Sequence, residues 1–436
     1  MKKMYFCTKY SSMNEKIAIL EKYNLWNSKS FDFGFKRNEY IDKIIEYTGN
    51  RLVKVLVGQR RTGKSYILRQ IAKELIDRGV KAENTLLINR EFSDFDFLSS
   101  YNDLNSIVLE YRKEMGVEGK IYIFIDEIQM IDEWEKAVNS FSQDYSQEYE
   151  VFITGSNSKM LSGELATLLS GRYISFEIFP FSYKEFLGIT NGVVGRESYM
   201  QYLNGGGLPE LFMLGSEEIK RNYVSAVKDT VLLRDIIQRY SIREPKILED
   251  IFIFLVNNAS NLISVSKINN FFKSQGRSVS YDLIYNYIGY IEDTFIIHKC
   301  DRYDIKGRDI ISGNSKYYVN DLAYKNYLYS GFGYGAGYMF ENLVYLELKR
   351  NGFDVWVGVM RNKEVDFVAK KDDRLIYLQC AYMLIDKTTI DREYAPLKSI
   401  NDNYEKVVMS LDDFSLPIND GIKHIRGWEL REFING

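Results

Sequence analysis

Eight consecutive residues, Gly58-Gln59-Arg60-Arg61-Thr62-Gly63-Lys64-Ser65, constrain this 436-residue chain more than any other stretch. They satisfy G-x-x-x-x-G-K-[ST] at every fixed position. The apolar run at 52–57 precedes them, and a helical pattern at 66–76 follows, with Ile67, Leu68, Ile71 and Leu75 on one face. Strand, glycine loop and helix N-terminus in that order make a phosphate cradle. Glycines let consecutive N–H groups turn inward, and the start of the helix favours an anion. Lys64 supplies a cation to the β and γ phosphates, and the Ser65 hydroxyl is a ligand for magnesium. The loop therefore predicts a site for ATP with Mg2+, built from residues 58–65.

Two further strand ends complete an expectation of hydrolysis. Residues 121–125 read as a buried strand that runs into Asp126-Glu127. An aspartate there holds magnesium through a water, and the adjacent glutamate orients and deprotonates the attacking water. Residues 151–153 form another short apolar run ending in Thr154-Gly155-Ser156-Asn157. A strand inserted between the loop strand and the acidic strand puts Ser156 or Asn157 near the γ-phosphate. Arg172 precedes the next strand; it serves either as a finger to the γ-phosphate of a neighbouring subunit or as an ordinary surface arginine.

Length implies two or three cores. Apolar runs at 85–88 and 173–178 add to those named, and helical patterns separate them, which argues a parallel α/β sheet. Residues 1–36 lack a strong period and read as an N-terminal extension or leader helix. The ATPase core is expected at 37–215 and a helical region at 216–310. In the latter, helices at 247–257, 265–274 and 279–294 and a strand at 295–300 have the pattern of a winged helix. An α+β region follows at 311–436, with a helix at 340–350 and strands near 353–357, 365–369, 375–380 and 406–410. Net charge is −3, so no global field draws the chain to nucleic acid or an anionic membrane. The N-terminus has no signal-peptide pattern and no run reaches the length of a membrane span, so a cytoplasmic location without membrane contact is expected. Three scattered cysteines and two histidines favour a reducing compartment over a structural zinc site.

The motifs together, with Arg37, Asp126-Glu127-Ile128-Gln129, Leu169-Ser170-Gly171-Arg172 and Gly206-Gly207-Leu208-Pro209-Glu210, resemble the bacterial and archaeal AAA-superfamily ATPases that carry a C-terminal domain of unknown function. The resemblance runs from about residue 35 to the end. It implies a sheet in the order 5-1-4-3-2, a winged helix after the core, a restriction-endonuclease-like C-terminal fold, and a finger role for Arg172. A finger given in trans implies a homo-oligomer. The nuclease pattern needs one acidic residue on a strand and [DE]-x-K on the next. Glu341 and Asp366 fill the first roles, but Gln379 and Ala381 stand where the second acid and the lysine belong. The domain thus reads as an inactivated nuclease fold kept for binding or assembly. The expected winged-helix recognition segment, 278–287, carries no basic residue, whereas the ribbon offers His298, Lys299, Arg302, Lys306 and Arg308. The client stays open between DNA and protein. An ATP-gated nuclease and a nucleotide-bound scaffold with little turnover remain the alternatives to an ATP-driven switch.

Overall fold

Strands that bury both faces belong in the middle of a parallel sheet, and the loop strand does so throughout. The computed structural model describes residues 13–28, 31–156, 169–330, 335–360 and 363–436. In it β1 (Val53–Val57), β2 (Thr85–Asn89), β3 (Ile121–Asp126), β4 (Tyr149–Gly155) and β5 (Tyr173–Glu177) form one parallel sheet in the order 2-3-4-1-5. This is the expected 5-1-4-3-2 order. Register puts Val57 beside Gly155 and Asn89 beside Asp126, so the motif-bearing strand ends share one edge. Crevices outside the carboxyl ends of such strands are where ligands bind.

The chain divides into two units, residues 1–58 with 63–178 and residues 59–62 with 179–436. In the first, α1 (Met13–Tyr23), α2 (Asn38–Glu46), α3 (Lys64–Asp77), α4 (Tyr101–Glu114) and α5 (Trp134–Gln143) accompany the sheet. Ile41 and Ile44 of α2 join Ile67, Leu68 and Ile71 of α3 in a core with Phe124 and Phe152, whose rings stack at 4.6 Å. Edge strand β2 exposes backbone groups that need partners. The chain after α1 supplies them. Asn24 exchanges two hydrogen bonds with the Leu87 backbone (2.6 and 3.0 Å), and buried Trp26 donates to the Thr85 carbonyl at 2.7 Å. Residues expected as an extension are therefore built into this unit.

The second unit opens with α6 (Tyr183–Thr190), α7 (Arg196–Gly205) and α8 (Glu217–Thr230), which continues into π-helical turns at Val231–Gln238. Then come α9 (Pro245–Asn257), β6 (Leu262–Ile263), α10 (Val265–Ser274), α11 (Tyr281–Glu292), β7 (Ile297–Asp304), β8 (Asp309–Val319) and a second π-helical turn, Tyr324–Leu328. The rest is α12 (Ala336–Arg350), β9 (Asp354–Met360), β10 (Lys363–Lys371), β11 (Arg374–Cys380), α13 (Lys387–Lys398), β12 (Glu405–Ser410), β13 (Ile422–Arg426) and α14 (Leu430–Asn435). The eight strands described in this unit lie in one mixed sheet, in the order 13-12-11-10-9-7-8-6.

Strand pairing and packing cross two of the expected boundaries. The one at 310/311 falls inside β8, because the ribbon formed by β7 and β8 continues through β9 into the C-terminal strands. Across the one at 215, Phe186, Tyr199, Tyr202 and Leu203 of α6 and α7 pack in one core with Phe340 and Leu343 of α12. Local helix and strand patterns do not reveal which neighbour a hydrophobic face chooses.

One polar pair lies deep in the first sheet. Lys54 and Glu150 are both 0% exposed and bonded to each other, with Lys120 on the other Glu150 oxygen at 3.2 Å. Burial first, with the Lys120 charge adding to it, pulls the Lys54 pKa below its ordinary value against the opposing pull of Glu150. Removing the carboxylate leaves that ammonium without its counter-charge, a change that costs about 3–5 kcal/mol. Glu150→Ala is expected to lose unfolding free energy by that amount against wild type, measured by urea titration of the full chain followed by intrinsic fluorescence.

Candidate nucleotide-binding site

The phosphate loop leaves β1 by a turn that demands glycine. Gly58 has φ +142°, and a Cβ there would lie 2.4 Å from the Ile178 carbonyl oxygen. Gly63, at φ +92°, is the N-cap of α3, where other residues are strained. Lys64 and Ser65 thus begin the helix, with its free N–H groups turned to the loop. The Lys64 ammonium is buried and donates to the Gly58 carbonyl at 2.8 Å, which holds its charge over the loop.

Asp126 ends β3 beside this loop. Its Oδ1 accepts from Thr154 Oγ1 at 2.5 Å, its Oδ2 from Asn89 Nδ2 at 2.9 Å, and the Ser65 hydroxyl also bonds to it. Burial first, and the neighbouring Glu127 second, push its pKa up to about 6. Glu127 has φ +54°, a left-handed conformation unusual outside glycine. Its backbone N–H donates to Thr154 Oγ1 at 3.0 Å. Its carboxylate accepts from Gln129 at 2.5 Å, and Ser156 Oγ stands 3.5 Å away. A hydroxyl and a carboxylate in contact are hard oxygen donors that fit Mg2+, a cation that keeps several waters of its own. Ser65 and Asp126 are the residues that would hold it.

Beside Ser65 and Asp126 lies a cavity of about 330 Å³, walled by Tyr23, Phe31, Leu68, Arg69, Asn89 and Phe92. The N-terminal segment therefore reaches the neighbourhood of the site. In the second unit, the loop tip is engaged by its own partners: Arg60 pairs with Asp235, and Gln59 with Tyr324 and Asn320. Thr62 Oγ1 closes the tip on the Gln59 carbonyl at 3.0 Å.

The structure thus brings together Gly58, Gly63, Lys64, Ser65, Asp126, Glu127 and Ser156. Asn157 lies outside the described residues. Arg172 does not join them. Its exposed position precedes Tyr173, which pairs with Val53 at the start of β1, so it sits at the opposite edge of the sheet. A five-residue strand, about 16 Å, separates that edge from the loop. Thr154 and Asn89 were not anticipated. The Thr-Gly-Ser-Asn run drew attention to its later members, and nothing local to Asn89 signals that β2 will lie beside β3.

A second polar cluster is buried in the C-terminal part of the second unit. Glu341 of α12 and Asp366 of β10 do come together, but around the ammonium of Lys316 from β8, at 2.9 and 3.5 Å, with Glu364 at 2.8 Å. Tyr318 OH donates to Glu341 at 2.7 Å. Burial raises the Glu341 pKa to about 8, and the lysine opposes that rise. Burial disfavours the Lys316 charge, yet the three carboxylates hold its pKa well above the ordinary value. Gln379 meets the Asp366 backbone N–H through its side-chain oxygen at 3.4 Å, and Ala381 is buried. Among the described residues no group of three or more His, Cys, Asp and Glu side chains is arranged to hold a metal ion.

A phosphate loop on a central strand, paired carboxylates two strands away, and a polar strand end between them define a P-loop ATPase of the AAA superfamily. The chain belongs to a family of such ATPases found in bacteria and archaea. A family model described as an AAA domain matches residues 50–187, and one described as a domain of unknown function (DUF8612) matches residues 196–333. The chain is 34% identical over 403 residues to an uncharacterized protein of Haemophilus influenzae, covering 91% of this chain and 98% of that one. It is 32% identical over 390 residues to the uncharacterized protein MJ1544 of Methanocaldococcus jannaschii, covering 84% and 81%. Among solved structures it is similar to the Walker-type ATPase PABY2304 of Pyrococcus abyssi, at 17% identity and a TM-score of 0.47, over 67% of this chain and 95% of that one. No described helix is long and apolar enough to cross a membrane.

The Asp126 carboxyl generates a pH test. A folded pKa raised from 3.8 to about 6 means that the folded chain holds this proton more tightly than the unfolded chain. The associated stability is present below pH 4 and lost as pH rises through 6, a cost on the order of 3 kcal/mol at neutral pH. Asp126→Asn is therefore expected to melt above wild type at pH 8, with the gap closing below pH 4; a gap that does not depend on pH is the contrary result.

Proposed function

We propose that this protein hydrolyses ATP with Mg2+ to drive a conformational switch. The observation that carries the reading is the Asp126-Glu127 pair, held by one threonine hydroxyl at the edge where the phosphate loop begins. Residues 58–64 bind the phosphates, and Ser65 and Asp126 hold magnesium, which supplies charge neutralisation for the transferred phosphoryl group. Glu127 is the base for the attacking water. Its side chain is restrained by Gln129, and the left-handed backbone turns it away from the strand direction. Ser156 and Asn157 are the γ-phosphate sensors. Arg172, at the opposite edge of its own sheet, acts in a second copy of the chain, so the working form is a homo-oligomer. The place of the protein is the cytoplasm.

The order α9, β6, α10, α11, β7, β8, with β8 between β6 and β7, supports a winged helix, and the C-terminal strands with α12 support a restriction-endonuclease-like domain. The domain plan is an N-terminal segment at 1–36, an ATPase core at 37–215, a winged-helix region at 216–310 and the nuclease-like domain at 311–436, with the tertiary packing crossing those limits as described. With Lys316 seated among Glu341, Glu364 and Asp366, this last domain binds or assembles and does not cut. The client is DNA or protein.

Glu127→Gln is expected to keep ATP binding while turnover falls about 10²–10⁴-fold, the usual worth of a general base. Lys64→Ala is expected to lose binding itself. Phosphate release and a fluorescent ATP analogue measure the two effects; equal turnover in Glu127→Gln and wild type would sink the hydrolysis reading.

A further inference from the structure

The phosphate-loop pattern fixes its glycines, its lysine and its final hydroxyl, and leaves the identity of the four residues between the glycines open. Here they are held within the second unit. Arg60 makes a two-pronged pair with Asp235, Nε to Oδ2 at 2.6 Å and Nη2 to Oδ1 at 2.9 Å. Paired prongs fix orientation as well as charge. Gln59, 0% exposed, donates to Tyr324 OH at 2.5 Å and accepts from Asn320 Nδ2 at 3.0 Å. Tyr324 is itself fully buried, with its ring edge-on to Phe252.

The partners occupy unusual backbone. Asp235 lies in the π-helical turns Val231–Gln238, and Tyr324 opens the π-helical turn Tyr324–Leu328. Such turns make up well under 1% of residues and concentrate at functional sites. The loop side is also strained, since Arg61 has φ +67° without being glycine. Loop backbone of this kind persists only where its surroundings over-determine it, and these two contacts do so on consecutive residues.

We propose that Asp235, Asn320 and Tyr324 are positioning residues for the phosphate loop. Acting through Arg60 and Gln59, they couple nucleotide affinity to the state of the two π-helical segments. The proposal rests on the ATP-binding reading above. Coupling is reciprocal: if the segments favour the phosphate-binding loop shape, bound nucleotide must stabilise the segments by the same factor.

The test uses the full chain, a non-hydrolysable ATP analogue with Mg2+, and two readouts. Asp235→Asn and Tyr324→Phe are each expected to weaken analogue binding about fivefold or more, the lower bound for coupled sites, and Asp235→Glu to recover part of the loss. In wild type the analogue is expected to slow amide exchange in 231–238 and 324–328, and Asp235→Asn to abolish that slowing. Tyr324→Phe deletes a single oxygen, so it carries the test if the aspartate variant does not fold. Wild-type affinity in folded Tyr324→Phe, or analogue protection confined to residues 53–178, overturns the proposal alone. A wild type that binds no better than Lys64→Ala removes the nucleotide reading and the proposal with it.

Discussion

Asp126 is a carboxylate in a place that does not favour charge, and the arrangement around it explains much of the first unit. Burial works against its ionised form, and Glu127 adds a like charge next to it. What opposes both is a ring of donors from three directions: Thr154 on β4, Asn89 on β2 and Ser65 at the start of α3. That ring exists only because β3 lies between β2 and β4 in the sheet. A different strand order would leave Asp126 buried with its oxygens unpaired, at a cost of several kcal/mol for an unpaired ion. Sheet order and site chemistry are therefore one constraint.

The same logic decides what could be read from residues in a row. The loop at 58–65 and the pair at 126–127 are local: a turn needs its glycines, a helix start needs its cap, and a strand end presents its next two side chains. Thr154, Asn89 and Arg172 are not local. Thr154 lies at the site because Ile153 lies beside Ile125, and Arg172 stands at the opposite edge of its own sheet because Tyr173 lies beside Val53. Register, which no stretch of sequence carries by itself, settled both. Lys54 was hidden in a run that reads as an apolar strand and Glu150 stands just before another, since a buried pair looks like two isolated polar residues until the strands meet. Lys316 was missed for a related reason: the lysine sought was two residues beyond Gln379 on one strand, and the one present comes from β8.

In the second unit, helices and strands were legible individually, and their grouping was not. The ribbon of β7 and β8 looks self-contained in sequence, a strand, a polar turn and a strand. Yet β7 offers its other edge to β9, with Arg302 beside Val357, and an exposed edge of that length is a liability unless paired. Pairing it joins the helical region to the C-terminal strands in one sheet. The N-terminal residues follow the same rule. Free edge groups of β2 recruit Asn24 and Trp26, although nothing in the period of the first 36 residues forecasts it.

Two of the residues held in left-handed backbone lie where the chemistry is expected. Arg61 and Glu127 take left-handed backbone, a conformation that costs a residue with a Cβ on the order of 1–2 kcal/mol. Each is restrained from a neighbouring position. Glu127 donates its N–H to Thr154, and Arg61 follows two residues whose side chains are locked by Asp235, Asn320 and Tyr324. Relaxing either residue into ordinary backbone would release local strain but turn the Glu127 carboxylate, or the loop N–H groups, from their present directions. The restraints therefore serve direction more than stability, which is why they come from separate strands and turns of the fold and not from the motifs themselves.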